Sequence, residues 1–176
     1  IIPATVLPLR STCEVDEDSL KDYMKWLLKS RIGGLAVCVD TGEGPHLYRE
    51  EKIRVVKIVK SVVGGEVPVI AGLQAAFTSQ AVEEANVMRE AGADAILVFP
   101  ITAFYGVPLP PELPHAYHRA IASAARIPIV LFQLQKDLGG AEYNSECLTK
   151  LTEIEEVIAI KEATFDAMKF LNTLRL

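Results

Sequence analysis

Half of the 176 residues are hydrophobic, 23% are charged and the formal net charge is -5, the profile of a globular domain with ample core material rather than a disordered chain. Lysines and arginines are scattered along amphipathic stretches without a basic block, which excludes an electrostatic footprint for nucleic acid or anionic membrane and points to a small-molecule partner. No apolar run approaches the roughly 20 residues that span a bilayer, and the N-terminus lacks the basic-apolar-small order of a signal peptide. Cys13, Cys38 and Cys147 are widely spaced, with no Cys-x-x-Cys and no nearby histidine cluster. Neither a disulfide framework nor a zinc site is expected, and a reducing, cytoplasmic location follows. Cys38, inside an apolar run, reads as core and the other two as partly exposed thiols.

Short apolar runs alternate with longer amphipathic ones, the pattern of βαβ units on a parallel sheet. A candidate strand, Ala4 to Leu9, leads to a helix on which Leu20, Tyr23, Met24, Leu27 and Leu28 share one face, closed by Gly33-Gly34. Strand Leu35 to Val39 is followed by a helix lined by Ile53, Val56 and Val59 and ended by Gly64-Gly65. Strand Val67 to Ala71 precedes a helix lined by Ala81, Ala85, Met88 and Ala91, with Thr78 or Ser79 as its cap. Strand Ala95 to Phe99 comes before a helix that starts at Pro111 and carries His115 and His118 at i, i+3. With His46 in a loop and no third ligand motif, these histidines read as a solvated helix face and not as a metal site. Strand Ile127 to Phe132, a helix marked by Leu148 and Leu151 after Asn144-Ser145, and strand Val157 to Ile160 follow. Phe165, Met168 and Leu171 begin a last helix after Thr164, and every apolar stripe is expected to face core.

Six such units with no reversal of spacing suit a (β/α)8 barrel better than a doubly wound sheet, although periodicity alone does not separate the two. Eight units need on the order of 250 residues. The chain is therefore expected to be one partial barrel domain covering about the first six βα units. Strands seven and eight and any C-terminal helical extension would lie outside it.

Two segments carry chemistry. The run Val157-Ile158-Ala159-Ile160 stops on Lys161, so a buried strand would deliver a lysine at its C-terminal edge, where α/β folds place active sites. A partly desolvated lysine amine attacks a ketone to form a Schiff base; the alternative is a strand-end lysine whose stem packs while its ammonium reaches water. In Asp40-Thr41-Gly42-Glu43-Gly44-Pro45, glycine lets backbone approach closely, so N-H groups and the Thr41 hydroxyl can converge on an anion. Alternatively the segment is a turn rich in turn formers. Glu43 reads as a loop-stabilising carboxylate.

The stretch from Gly34 through Thr41-Gly42-Glu43-Gly44, followed by Glu51, resembles the Gly-Thr-Thr-Gly-Glu signature of the dihydrodipicolinate synthase/N-acetylneuraminate lyase family. Ala159-Ile160-Lys161-Glu162-Ala163 resembles that family's Schiff-base lysine motif, and Val69-Ile70-Ala71-Gly72, Thr78 and Ala91 to Val98 are similar to its third and fourth units. The resemblance implies a class I aldolase or lyase on a TIM barrel, acting on pyruvate or a related 2-keto acid without metal or other cofactor and assembling as a homotetramer. It implies Lys161 as nucleophile, Thr41 and Gly42 as carboxylate binders and Phe132 as a wall of the substrate site. Tyr105 corresponds either to a family tyrosine that reaches across a subunit contact or to an aromatic packed at its loop.

Two departures fall on one proton relay. The family's Tyr-Asn-x-Pro is Phe132-Gln133-Leu134-Gln135 here, and Asp40 stands for the first threonine of the signature. Asp40 could replace the relay as an acid-base group, or the relay could be lost, leaving a keto-acid sensor or structural subunit. Changed chemistry such as sugar-acid dehydration is a third reading, and a side-chain cap of the turn a fourth. Dihydrodipicolinate synthesis itself is less expected than the broader family activity.

Overall fold

In the computed structural model, the apolar and amphipathic segments form five strands and six α-helices over the described residues 1–105, 109–138 and 140–176. The strands follow chain order in the sheet, β1-β2-β3-β4-β5. The chain divides into two compact units, Ile1–Leu73 with Asn86–Ile96 and Gln74–Ala85 with Leu97–Leu176. Strand β3 (Ala95–Val98) and helix α3 (Thr78–Ala91) each contribute to both.

In the first unit, β1 (Leu35–Val37) and β2 (Val69–Leu73) pair in parallel, with Leu35 opposite Val69 and Val37 opposite Ala71. Every residue of both strands is buried, as expected where both faces of a parallel sheet are covered. Helix α1 (Glu17–Leu28) starts where the Asp16 carboxylate accepts the Ser19 amide at 3.2 Å, and it buries Leu20 and Met24. Helix α2 (Arg49–Val63) opens with the Tyr48 amide donating to Glu51 at 2.8 Å and ends on Gly64 at φ 59, the left-handed conformation expected of a glycine there. Asp94 accepts both the Lys60 ammonium at 2.7 Å and the Val69 amide at 2.8 Å, tying α2 to the start of β2. At Gly72 a side chain would collide with the Cys38 carbonyl, so glycine is required by close backbone approach.

Two expectations fail in this unit. Ala4 to Leu9 is not a strand: it forms one parallel bridge, Ala4 with Ala36, and one antiparallel bridge, Leu9 with Val15. Pro3 and Pro8 flank or interrupt the segment and supply no N-H, which prevents a continuous ladder. Gly33-Gly34 does not close α1, which ends at Leu28 with Lys29 right-handed. A side chain at Gly34 would instead press on the Pro68 carbonyl at 3.1 Å.

In the second unit, β4 (Ile129–Leu134) pairs in parallel with β5 (Val157–Ala163). Helix α4 (Glu112–Ala125), with Pro111 at its N-cap, packs on α5 (Ser145–Leu151), and α5 touches α6 (Ala167–Leu174). The Asn144 side chain caps α5 by accepting the Cys147 amide at 2.8 Å. Helix α3 begins at Thr78 itself, so neither Thr78 nor Ser79 lies outside it as a cap, and Gln80 accepts the Ala76 amide at 2.8 Å.

Four further expectations are corrected here. His118 is not on a solvated face: it is fully buried on the stripe of α4 that carries Pro114, Tyr117, Ile121 and Ala122. Cys147 is likewise buried, its Sγ 3.6 Å from the Leu109 carbonyl. The stripe of α6 does not face core, since Met168 and Leu171 are exposed and the helix buries no residue. Nor is β5 a buried strand, because Ile158 and Ala159 are exposed. It is last in the sheet order and pairs only with β4 among the described residues.

Candidate active site

Lys161 does not leave its strand as expected but sits within it, two residues before the end at Ala163. The extension has a clear cause. Beyond the charge on which the apolar run stops, Glu162 pairs with Gln133, and the Gln135 amide donates to the Ala163 carbonyl at 3.2 Å. Lys161 stands in register with Phe132 on β4, and its Nζ lies 4.3 Å from the centroid of the Phe132 ring. Paired residues on neighbouring parallel strands project to the same face, so the contact follows from register. Phe132 is 1% exposed, and Phe99 meets it edge-on at 4.9 Å between centroids. An ammonium over an aromatic face is held by the ring quadrupole. The ring donates no proton.

Gln133 and Glu162 project to the opposite face. Gln133 is 2% exposed; its Oε1 accepts the Tyr143 amide at 3.2 Å, while its Nε2 donates to Thr173 Oγ1 at 3.2 Å and to Glu162 Oε1 at 3.5 Å. Glu162 Oε1 also accepts the Thr164 amide at 2.9 Å. Sequence reasoning treated Gln133 only as part of a departure from a motif. The available signal was a polar residue in the apolar strand Ile129–Leu134, since a buried amide requires partners.

Asp40, Thr41 and Gly42 lie in the first unit and form a single 3-10 turn after β1. Asp40 is exposed, and no side chain caps the turn, so the capping role considered for Asp40 is not the one it has here. The amides of Gly42 and Gly44 donate to the Val39 carbonyl at 3.0 Å, and that of Glu43 to Asp40 at 3.1 Å. The amides of Asp40 and Thr41 are left without a partner among the described residues. The Thr41 hydroxyl donates to the Thr5 carbonyl at 3.3 Å, and a side chain at Gly42 would lie 3.0 Å from the same oxygen. Gly42 therefore serves close approach, while the open donors belong to Asp40 and Thr41. Glu43, at φ 57, holds His46 Nδ1 at 2.9 Å, in keeping with a loop-stabilising carboxylate.

Tyr105 is 47% exposed and lines a cavity of about 540 Å³ with Gln133, Glu142, Tyr143, Lys169 and Thr173. Neither Phe132 nor Lys161 lines that cavity. Beneath it, Phe104, Tyr117, His118 and Tyr143 form an aromatic cluster with centroids 5.3–6.5 Å apart. Burial pushes the Tyr117 and Tyr143 phenols upward and the His118 imidazole down to about 4. His118 Nδ1 is 2.7 Å from the Pro114 carbonyl, so that nitrogen carries the proton. In the first unit, burial raises the Cys38 thiol to about 12 and makes it inert at neutral pH. Among the described residues no group of three or more His, Cys, Asp or Glu is placed to hold a metal ion, and no helix is long and apolar enough to cross a membrane.

Parallel strand pairing and βα alternation define an α/β protein built on a parallel sheet. The chain belongs to the dihydrodipicolinate synthetase family, whose model matches residues 1–176. It is 37% identical over 164 residues to the 4-hydroxy-tetrahydrodipicolinate synthase of Methanothrix thermoacetophila, a match covering 93% of this chain and 54% of that protein. The chain thus spans about half the length of the curated relatives it matches. Among solved structures it resembles the chloride-inhibited, pyruvate-complexed dihydrodipicolinate synthase of Acinetobacter baumannii, with a TM-score of 0.88 and 27% identity over 98% of this chain and 58% of that one. It also resembles the N-acetylneuraminate lyase of Mycoplasma synoviae, with a TM-score of 0.81 and 26% identity over 99% of this chain and 58% of that one. The likeness to these TIM-barrel enzymes bears out the fold class and the family expected from the sequence.

Proposed function

We propose that the intact protein is a Schiff-base lyase or aldolase acting on pyruvate or a related 2-keto acid. The observation that carries this reading is Lys161, placed on β5 with its Nζ 4.3 Å from the Phe132 ring, in a chain of this family. The neutral amine of Lys161 adds to the keto carbon, water leaves, and the imine is protonated. Loss of a proton from the adjacent carbon then gives an enamine able to make or break a carbon-carbon bond. Phe132 walls the imine and favours its positive charge. The amides of Asp40 and Thr41, unpartnered among the described residues, suit the substrate carboxylate, joined by the Thr41 hydroxyl when it turns from Thr5. Gly42 keeps that turn tight.

With no phenol at position 132, proton transfer falls to the exposed carboxylate of Asp40 or to a hydroxyl of the substrate itself. Dehydration of a sugar acid would be one reaction of the second kind. Tyr105, half-exposed at its loop, is the residue we would place at a subunit contact of a homotetramer. Three free thiols suit a cytoplasmic setting. The test is borohydride trapping of the intact protein with a panel of 2-keto acids, read by intact mass and peptide mapping. An adduct on Lys161 is expected. A folded protein that yields no adduct with any of the acids overturns the reading.

A further inference from the structure

We infer that Gln133 is a positioning residue: it locks the register of β5 against β4 so that Lys161 is delivered to the face of Phe132. Its bearing on catalysis rests on Lys161 being the nucleophile.

The pairing of the two strands is irregular before it reaches Lys161. Ile129 pairs with Val157 but Val130 pairs with Ala159, so β5 carries one extra residue at Ile158. A bulge of this kind marks a place where register can slip, and a slip of one residue turns every side chain to the other face. Without the extra residue, Lys161 would project with Gln133 toward α6, away from Phe132. Something beyond the bulge must therefore hold the shifted register.

Gln133 is placed to do so. It lies one residue past Phe132, opposite Glu162, which lies one residue past Lys161. Its side chain is 2% exposed and both ends of its amide are in use. Three separate segments meet on it: the Tyr143 amide before α5, the Thr173 hydroxyl on α6 and the Glu162 carboxylate on β5. Slipping β5 by one residue would carry Glu162 away from Nε2, now 3.5 Å distant, and leave one amide proton of a 2% exposed side chain without its protein partner, which costs free energy. Glu162 is anchored in turn, because its Oε1 takes the Thr164 amide at 2.9 Å. The network lies on the side of the sheet opposite the reacting nitrogen, so Gln133 touches no substrate and acts through Lys161.

The experiment is made on the intact protein with two readouts, the ring-current shift that Phe132 imposes on the Lys161 ε-methylene and the rate of borohydride trapping with pyruvate. Gln133→Glu sets two carboxylates against each other. It should abolish the ring-current shift and lower the trapping rate on the order of 100-fold, the scale of a nucleophile misplaced by about an ångström. The exchange Gln133→Glu with Glu162→Gln restores an amide-carboxylate pair, with the Thr173 hydroxyl turning from the Lys169 carbonyl, to which it now donates at 3.0 Å, toward position 133, and should recover both readouts. Should Gln133→Glu not fold, Gln133→Met, of similar length but without the hydrogen bonds, is read in the same way. The inference is overturned if the single variants keep the ring-current shift, or if the exchange restores folding without restoring the shift. A wild-type protein that forms no adduct with any keto acid would remove the Schiff-base reading alone, because the ring-current shift still decides the role of Gln133.

Discussion

The two compact units hold their functional segments in place by different means. Among the described residues the first buries one polar side chain, Thr5, whereas the second buries Glu84, His118, Gln133 and Thr164. In the first, the turn at Asp40–Gly42 is shaped by backbone hydrogen bonds and by glycine at close contacts, and its polar side chains stay exposed. In the second, Lys161 is placed by strand register and by a buried amide that ties together three segments. Placement by backbone tolerates changes in side chains; placement by buried polar groups makes function depend on each partner. The turn is therefore expected to show graded responses to substitution, and the lysine strand abrupt ones.

The most abrupt should come from Lys161→Ala. On the proposed mechanism this removes the atom that forms the covalent bond, and turnover is expected to fall by at least about 1,000-fold, on the order of 4 kcal/mol in transition-state stabilisation. Steady-state kinetics with the best keto acid, alongside trapping, would measure it; turnover within tenfold of wild type would remove Lys161 from the chemistry and with it the contrast between the units. A second strong response is acid sensitivity of the second unit. His118 titrates at about 4 when folded, against about 6.5 when exposed. Between those values the unfolded chain binds the extra proton, so stability rises with pH. The contribution is complete above 6.5 and is lost as pH falls toward 4, to a total of about 3 kcal/mol. Urea unfolding at pH 7 and pH 4.5 should show a smaller loss in His118→Leu than in wild type. Equal losses would show that the buried imidazole does not govern acid sensitivity.

The same contrast explains which features could be read in the sequence. Some local signals were dependable: Gly64 ended α2 and α5 began after Asn144 as expected, because each acts within one turn of its helix, whereas Gly33-Gly34 lay too far from Leu28 to close α1. The Asp40–Gly42 turn was legible for the same reason, although the identity of its open amides was not. Features set by partners distant in sequence were misread. His118 looked like a surface residue because two histidines at i, i+3 carry no information about what packs on α4, and only the fold brings Phe104 and Tyr143 to it. Lys161 looked like a strand end because the apolar run stops on its charge, and Gln133, the hydrogen-bonding partner of Glu162 as the strand continues, is 29 residues away. The bulge at Ile158 left no mark in composition at all. Pro3 and Pro8, by contrast, stand in the sequence itself, and the expectation of a strand at Ala4 to Leu9 ran against them.

A moderate response should come from Gly42→Ala, which tests whether the first unit's turn depends on close approach. The new methyl would lie 3.0 Å from the Thr5 carbonyl, so the backbone around Thr5 must give way. No left-handed strain adds to this, since Gly42 is not among the residues with positive φ. The expected loss is about 1–2 kcal/mol of stability, read as a lowered Tm, with weaker keto-acid binding. An unchanged Tm would mean that the turn is looser than its contacts indicate.

The smallest response, and the sharpest test of a backbone-shaped site, is Thr41→Val. The substitution keeps volume and removes one hydroxyl, whose present bond to the Thr5 carbonyl is 3.3 Å long and only partly buried. Losing such a bond costs on the order of 1 kcal/mol. If the amides of Asp40 and Thr41 are the principal donors to the substrate carboxylate, KM should rise by no more than about tenfold. The saturating rate of imine trapping should stay within about twofold of wild type, since uniform binding is what has been removed. Thr41→Ser should recover most of the affinity. A fall in saturating rate with KM unchanged would instead place the hydroxyl in proton transfer. The first unit would then contribute a side chain to the chemistry after all, and Asp40→Asn would be expected to show the same signature.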